Sequence, residues 1–288
     1  MTARPTRVVD AHVHIWDPAR TDWYPYLARP PELGAGDASR MYRRFDVDTY
    51  RTESVRWNIE KFVNVAAATG RQSIDETIEL DSNAQARGGP DAIIGGLPPT
   101  DTVAEAVELI DRQMAAARFR GVRPMGANSG PVPGAAVLRA LQERDLVFEV
   151  MAHPDQLQEA AKQLAGFDDL AVVIEHTGWP RSNSDEERAL WQEGIGALAG
   201  LGDNVVCKLS GLAMPFGSMD IDALAPWFEY AIEAFGVDRC MFASNFPVDA
   251  MYGTFDDLYN TFNAVTAALD DESRGKLFAS NAERVYRF

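Results

Sequence analysis

Eight short apolar runs alternate with amphipathic segments along this chain of 288 residues. The runs are rich in Val, Ile, Phe and Ala without strict polar alternation, which is typical of strands covered on both faces. Strand followed by helix, eight times over, predicts a (β/α)8 or TIM barrel of the α/β class. A doubly wound sheet is the alternative, but no Gly-x-Gly-x-x-Gly follows a strand. The predicted strands are Val8–Trp16, Lys61–Ala68, Ala92–Pro98, Arg120–Gly126, Val147–His153, Ala171–His176, Val205–Leu209 and Cys240–Ser244. The predicted helices are Val103–Ala117, Ala135–Arg144, Asp155–Ala165, Glu186–Leu201, Ile221–Phe235 and Phe255–Leu269.

Length, charge and hydrophobicity limit the domain organisation of this protein and the kinds of molecule it can bind. Residues 1–288 are expected to form one domain, since barrels of this length fold as single units and no linker divides the chain. A net charge of −16 argues against nucleic acid, because phosphate binding needs a basic surface. No apolar run approaches the roughly 20 residues of a membrane span, and no apolar signal segment opens the chain. We therefore expect a cytoplasmic protein with no membrane partner. Cys207 and Cys240 are predicted to be reduced core residues.

The connection after the first strand departs from the regular alternation of strands and helices. It runs from Asp17 to Asn58 and is rich in proline, aromatic residues and arginine. A loop this long inside a compact domain is more often functional than idle. We expect this β1–α1 insertion to lie over the C-terminal mouth of the barrel as a lid. An ordered surface loop, or a contact that makes a homo-oligomer, is the alternative.

All four histidines of the chain lie at the ends of predicted strands. Two of them, His12 and His14, are separated by one residue, so both imidazoles can enter the same pocket. His153 and His176 close the fifth and sixth strands. Active sites of barrels form where strands end, and clustered imidazoles bind metal or transfer protons. The pattern predicts a catalytic or metal site at this face.

Two cations lie inside apolar runs. Lys208 would be costly if buried and unpaired, so it is expected to face a polar pocket or to pair with a carboxylate such as Glu149. Arg123 is a candidate clamp for a carboxylate or lactone carbonyl of a substrate. A structural ion pair of Arg123 with Glu149 or Glu175 is an equal alternative.

Several of these strand ends resemble a known family. The segment from Asp10 to Pro18 is similar to the first-strand signature of the amidohydrolase-related (amidohydrolase 2) proteins, and within them to the sugar-lactonase and 2-pyrone-4,6-dicarboxylate lactonase group. The resemblance covers nearly the whole chain. Further similar segments are His176–Pro180, Lys208–Leu212, Arg239–Asp249 and Asn281–Arg284.

The resemblance maps the histidines of the family site to His12, His14 and His176. Together with the other polar residues near strand ends, we predict His12, His14, His176 and Asp249 as catalytic residues. The predicted metal ligands are His12, His14 and His176, with Glu149 or His153 as additions. The predicted substrate contacts are Trp16, Arg123, Lys208 and Asn245.

One position departs from the family. Strand eight commonly ends in Ser-Asp-Trp-Pro there, with the aspartate as general base or metal ligand, whereas this chain has Asn245. An amide does not accept a proton at neutral pH. Either Asp249 supplies the base, or a histidine does, or the protein does not hydrolyse its ligand.

The sequence therefore predicts a hydrolase acting on a lactone of a sugar acid or of a dicarboxylate. The ring carbonyl would be polarised by strand-end histidines, either as protonated imidazoles or through a zinc ion. The cofactor expected is either none or one divalent metal ion per chain. The alternatives are a zinc-dependent decarboxylase or hydratase of an aromatic breakdown product, and a ligand-binding relative without catalysis.

Overall fold

The computed structural model describes residues 3–28, 36–125 and 130–288, and it confirms the predicted barrel. Eight parallel strands form one sheet in chain order, so each strand pairs with its sequence neighbour. A parallel bridge between Val13 and Phe246 joins the first strand to the segment after the last, which closes the barrel. The strands are β1 Val8–Val13, β2 Ile59–Val65, β3 Ala92–Leu97, β4 Phe119–Pro124, β5 Val147–Val150, β6 Val172–Ile174, β7 Val205–Leu209 and β8 Cys240–Phe242.

Helices surround the barrel, and several begin at a capping side chain. Thr102, Ser184 and Thr254, for example, each accept a hydrogen bond from a backbone amide three residues later. The helices are α1 Pro25–Ala28, α2 Val47–Glu53, α3 Gln72–Arg87, α4 Val103–Gln113, α5 Ala135–Glu143, α6 Pro154–Leu164, α7 Asp185–Ala199, α8 Ala213–Phe216, α9 Ile221–Phe235, α10 Phe255–Val265, α11 Asp271–Gly275 and α12 Asn281–Tyr286. Single 3-10 or π turns cover Ala38–Arg40, Glu175–Gly178, Val237–Arg239, Asp249–Met251 and Lys276–Ser280.

Several strands end before the sequence pattern predicts. The prediction carried the first strand to Trp16 and the sixth to His176, but the ladders stop at Val13 and Ile174. The reason is that the backbone turns away, and His176 already has a positive φ of 53°. The polar residues assigned to strand ends therefore lie on the first residues of the connecting loops, where a barrel carries its active site. Gly126, the predicted end of strand four, lies outside the described residues.

The lower half of the barrel interior is apolar. Side chains of the strands meet the last helix, α12, which closes the end opposite the mouth. These interior residues are Val9, Ala11, Val63, Val65, Ala92, Ile94, Val147, Val173, Val206, Met241 and Ala243, with Ala282, Val285 and Tyr286 from α12. This packed layer is the rigid base on which the polar residues of the mouth stand.

The insertion after β1 contacts the rim of the mouth on two sides. The Tyr26 hydroxyl donates to the Ala67 carbonyl beyond β2 at 3.0 Å. On the other side, the Asp37 amide donates to the Met251 carbonyl beyond β8 at 2.9 Å. The described part of the insertion is thus an ordered cover on the β8–β1–β2 edge. Residues 29–35 of this loop lie outside the description.

Two further sequence expectations can be compared with the fold. Cys207 and Cys240 are buried and unpaired, as predicted. Among the helices of the described ranges, none is both long enough and apolar enough to cross a bilayer.

Candidate active site

The histidine pair of the first strand meets inside the mouth of the barrel. The register of β1 against β2 shifts between Asp10 and Val13. This irregularity lets His12 face the interior even though Ala11 does so too. The Nε2 atoms of His12 and His14 are 3.2 Å apart, and His14 Nδ1 lies 2.7 Å from the Val65 carbonyl oxygen. That carbonyl can only accept, so the proton of neutral His14 is on Nδ1 and its Nε2 faces His12 as an acceptor.

His176 completes a cluster of three imidazoles. Its ring centroid is 4.7 Å from that of His12, and its Nδ1 lies 3.1 Å from the Ser210 hydroxyl. The residues from His176 to Trp179 all have positive φ, which is a single left-handed turn. The Trp191 indole donates to the Thr177 carbonyl at 2.6 Å and holds this turn. Such a conformation costs of order 1–3 kcal/mol per non-glycine residue, and its place at a cluster of imidazoles indicates a positioning role.

An ion pair lies beside the histidines at the upper level of the interior. Arg123 Nη1 donates to Glu175 Oε2 at 3.1 Å, and the Arg123 Nε donates to the Ala66 carbonyl, also at 3.1 Å. Glu175 Oε1 is buried and has no hydrogen-bond partner among the described residues. Burial favours the neutral acid, but the charges of Arg123 and Lys208 lower the pKa of Glu175 to about 2. Glu175 Oε1 is thus an ionised oxygen without a hydrogen bond, whereas Oε2, which Arg123 bonds, lies 3.7 Å from His176 Nε2.

A second ion pair lies deeper, and it confirms that Lys208 pairs with a carboxylate. Lys208 Nζ donates to both oxygens of Glu149, at 2.8 and 2.6 Å. The Tyr286 hydroxyl, from the last helix, donates to Glu149 Oε1 at 2.7 Å. Burial, opposed by Lys208, raises the pKa of Glu149 to about 7. Lys208 also approaches His12 Nδ1 at 3.5 Å, so the deeper pair is in contact with the histidine cluster.

Asn245 and Asp249 form a unit after β8. Asn245 has a φ of 56°, a left-handed conformation that asparagine tolerates, and its amide donates to the His12 carbonyl at 2.8 Å. The side-chain amide of Asn245 donates to Asp249 Oδ1 at 3.0 Å. Asp249 Oδ2 is buried with no partner among the described residues, and burial raises the pKa of Asp249 to about 8. At neutral pH this carboxyl is mostly protonated.

Two further ring side chains lie near the mouth, those of Trp16 and His153, and only Trp16 contacts the histidine cluster. Trp16 stacks on His14, with ring planes 6° apart and centroids 5.7 Å apart. His153 turns away: its Nδ1 is 2.9 Å from the Trp179 carbonyl, and its ring stacks on the Trp179 indole. The structure therefore brings Trp16 to the cluster and leaves His153 behind Trp179.

Burial and neighbouring cations lower the pKa of each histidine of the cluster, which favours neutral imidazoles over the protonated ones. Burial, reinforced by nearby cations, lowers the pKa of His14 to about 3. Burial likewise lowers the pKa of His176 to about 4 and that of His12 well below its ordinary value. The cations of the site are Arg123 and Lys208, and the imidazoles act as neutral donors, acceptors or ligands.

The donors of the site fit a zinc ion. Ligand atoms of His12, Glu175 and His176 all lie within 4.8 Å of one another. Two nitrogens on a tetrahedral zinc, with bonds of about 2.0–2.1 Å, are roughly 3.3 Å apart, and the Nε2 atoms of His12 and His14 are close to that separation. The free oxygen of Glu175 adds an anionic ligand. Glu149, predicted as a ligand, is instead bonded on both oxygens by Lys208 and Tyr286.

Two residues of this site were not found from the sequence. Tyr286 lies in the last helix, and no local pattern shows that it crosses the barrel floor to Glu149. Gly211 lies against His176, where an added Cβ would be 2.5 Å from ring atoms. The signal available for Gly211 was its place directly after the polar end of a strand.

Comparisons with known proteins identify the family of this chain. A sequence model of the amidohydrolase family matches residues 9–288. Uncharacterized protein y4mH of Sinorhizobium fredii is 29% identical over 296 residues, covering 97% of this chain and 98% of its own. The L-fucono-1,5-lactonase of Burkholderia ambifaria is 26% identical over 294 residues, covering 97% and 95%.

Solved structures share the fold over nearly the whole chain. An amidohydrolase of Burkholderia multivorans with bound zinc is 25% identical and has a TM-score of 0.82, covering 98% of this chain and 100% of its own. A probable 2-pyrone-4,6-dicarboxylic acid hydrolase of Acinetobacter baumannii is 18% identical (TM-score 0.69; 98% and 99% covered). The 2,6-dihydroxybenzoate decarboxylase of Rhizobium is 14% identical (TM-score 0.63; 99% of both chains covered). The last two likenesses concern the fold alone.

Proposed function

Because the chain belongs to the amidohydrolase family, we propose that it hydrolyses a lactone of a sugar acid or of a dicarboxylate. The observation that carries the proposal is the convergence of His12, His14 and His176 at the mouth of the barrel, beside an arginine. Two further observations support it. A full-length relative is an L-fucono-1,5-lactonase, and the buried Asp249 has an oxygen without a partner.

In this proposal the ring carbonyl of the lactone lies among the imidazoles. Hydrogen-bond donors aimed at the oxygen that becomes negative stabilise the transition state of acyl transfer. Arg123 supplies a permanent charge, and His176, whose hydrogen is not committed to a backbone carbonyl, supplies a neutral donor. Trp16 and Asn245 form the walls that orient the ring. Lys208 is fully buried beneath His12, so it acts on the substrate through that histidine.

A general base must take a proton from the attacking water. Asp249 is the first candidate, because its Oδ2 is unpartnered and its pKa of about 8 makes it a stronger base than an ordinary carboxylate. His176 is the second candidate, since it is neutral and can accept a proton at neutral pH. The two differ in the pH at which activity would appear, which makes them distinguishable.

A zinc ion would be held by His12, Glu175 and His176, whose ligand atoms lie together, with His14 next to His12. When bound, it would polarise the carbonyl and acidify water. The chain's own residues have the same tasks with or without it: Arg123 binds a substrate oxygen, Trp16 excludes water, and Asp249 or His176 accepts the proton.

A zinc-dependent decarboxylase or hydratase of an aromatic breakdown product is the second candidate. It is favoured by the metal-capable donor set and by Asn245, which replaces the usual base. A ligand-binding relative without catalysis would show thermal stabilisation by lactones and no turnover. A cytoplasmic location and self-association remain predictions of the sequence.

The proposal is tested by a matched pair of histidine variants assayed on L-fucono-1,5-lactone and 2-pyrone-4,6-dicarboxylate. His176→Ala should lower turnover about 100- to 1,000-fold, the loss typical when one such group is removed. His153→Ala removes a histidine that lies outside the cluster and should keep turnover within a few-fold of the unmodified protein. Folded His176→Ala with normal turnover would refute the assignment of the site.

A further inference from the structure

A column of three fully buried polar groups stands beneath His12. The Tyr286 hydroxyl donates to Glu149, and Lys208 donates to both oxygens of the same carboxylate. Lys208 and Glu149 have no solvent exposure, and neither does Tyr286. The ammonium is thereby held with its remaining hydrogen free to point upward, 3.5 Å from His12 Nδ1.

This column fixes the direction of the hydrogen bonds through the histidine pair. A lysine ammonium has three donors and no acceptor, so Nδ1 of His12 must be the acceptor of that contact. Neutral imidazole carries one hydrogen, which therefore lies on Nε2 of His12. It points at His14 Nε2, 3.2 Å away, while His14 keeps its own hydrogen on Nδ1 for the Val65 carbonyl. Each donor in the series meets one acceptor.

Binding of a metal ion would require the hydrogen of His12 to change its position in this series of hydrogen bonds. To ligate through Nε2, His12 must move its hydrogen to Nδ1, where it would face the Lys208 ammonium with two donors and no acceptor. The partner of a ligating histidine is normally a carboxylate, carbonyl or water, which accepts that hydrogen. Here the partner is a cation instead.

We infer that Lys208 is a positioning residue that holds His12 as the Nε2–H form and weakens zinc binding by the histidine cluster. Tyr286 and Glu149 serve this role by fixing the ammonium in place. The inference goes beyond lactone hydrolysis, because it concerns the resting state of the cluster and holds whatever the substrate is.

The direct test is the position of the hydrogen on His12. The chelator-treated, 15N-labelled protein contains only four histidines, so long-range nitrogen–hydrogen correlation spectra can be assigned with one variant for each. We expect the Nε2–H form for His12 and the Nδ1–H form for His14. A His12 ring with its hydrogen on Nδ1, or with both nitrogens protonated, would overturn the inference. This readout needs neither activity nor a destabilising change.

The second test is zinc affinity measured by competition with a chromophoric chelator. The double variant Lys208→Met with Glu149→Gln removes the ammonium and its counter-charge together, which avoids leaving a lone buried charge. We expect zinc to bind at least about tenfold more tightly, the scale on which partners of ligating histidines act. Lys276→Met, which removes a lysine whose ion pairs with Asp238 and Glu272 lie near the surface, is the control and should stay within a few-fold of the unmodified protein. Unchanged or weaker binding in the double variant would contradict the inference.

Discussion

Two buried ion pairs lie at different depths of the barrel interior, and they differ in how completely their atoms are bonded. In the lower pair, Lys208 and Glu149 have no exposure, and Tyr286 bonds the carboxylate as well. In the upper pair, the Arg123 side chain keeps 9% of its exposure and Glu175 has an oxygen without a partner. The lower pair is saturated, whereas the upper pair retains capacity for a ligand.

This difference indicates that the lower pair has a structural role and that the upper pair takes part in binding or catalysis. In a saturated buried pair every polar atom already has a hydrogen bond, so the pair holds the surrounding structure in place. Removing one partner leaves an uncompensated buried charge. The upper pair leaves one buried carboxylate oxygen without a hydrogen bond, so it retains an acceptor for a substrate or a cation. The lower pair reaches the substrate only through His12, and the upper pair lies beside it.

The largest expected effect is on stability, from the lower pair. Lys208→Met leaves Glu149 buried without its cation and should lower the free energy of unfolding by about 3–5 kcal/mol. Denaturant unfolding measures it. Lys276→Met is the control, because its ion pairs with Asp238 and Glu272 are near the surface and should contribute little to stability. Equal losses from the two lysines would remove the distinction between the pairs.

The next effect is on activity, from the upper pair. Arg123→Met should lower kcat/KM for a lactone about 100-fold, since it removes a charged donor from the developing oxyanion. Its loss of stability should be comparable to that of Lys208→Met, because it too leaves a fully buried carboxylate, Glu175, without its cation, so activity is what separates the two variants. Parallel measurement of unfolding and kinetics on both variants checks this. An Arg123→Met protein that is less stable but fully active would make the upper pair structural too.

The position of His176 depends on a glycine. Gly211→Ala would place a Cβ 2.5 Å from the His176 ring at a backbone φ of +69°. We expect a cost of roughly 1–3 kcal/mol in stability, together with reduced turnover. Gly196→Ala is the control, since nothing lies within 4 Å of its added Cβ within α7, and alanine there should stabilise by about 0.4–1 kcal/mol. Turnover unchanged in folded Gly211→Ala would show that the ring position is not critical.

The smallest effect is a pH dependence from Asp249. With a pKa of about 8, its ionised fraction and the rate should rise about tenfold between pH 7 and 9. Asp249→Asn should remove this limb of the profile. Because the folded pKa lies above the unfolded value, Asp249 also makes the protein less stable as pH rises towards 8, and the variant should lose less. An ascending limb near pH 4 that survives in Asp249→Asn would assign the base to His176.

The barrel could be predicted from the hydrophobic periodicity of the sequence. The clustering of the imidazoles could be predicted because the histidines follow the ends of strands. His12 and His14 were placed together by their spacing, although the register shift beside them was not foreseen. Helix α3 was not delimited, since its buried face carries Ser73, Glu76 and Thr77 instead of an apolar stripe. Such a face is recognised only against its tertiary partner.

Other features could not be read from the chain for a different reason. The turn at His176 places Thr177 at positive φ, which local preference disfavours. Hydrogen bonds from distant residues, Trp191 and Ser210, maintain it. The contact of Tyr286 with Glu149 joins residues 137 positions apart. The pairing of Lys208 was predicted because burying an unpaired charge is costly, an argument that does not depend on distance along the chain.

The central claim is tested most directly by proton release from lactones in a pH-indicator assay with the unmodified protein. A panel of sugar-acid and dicarboxylate lactones would be followed before and after treatment with a chelator. The account predicts hydrolysis of at least one of these lactones well above the buffer rate. No hydrolysis of any lactone, in protein either chelator-treated or supplied with zinc, would contradict it and favour decarboxylation or binding alone.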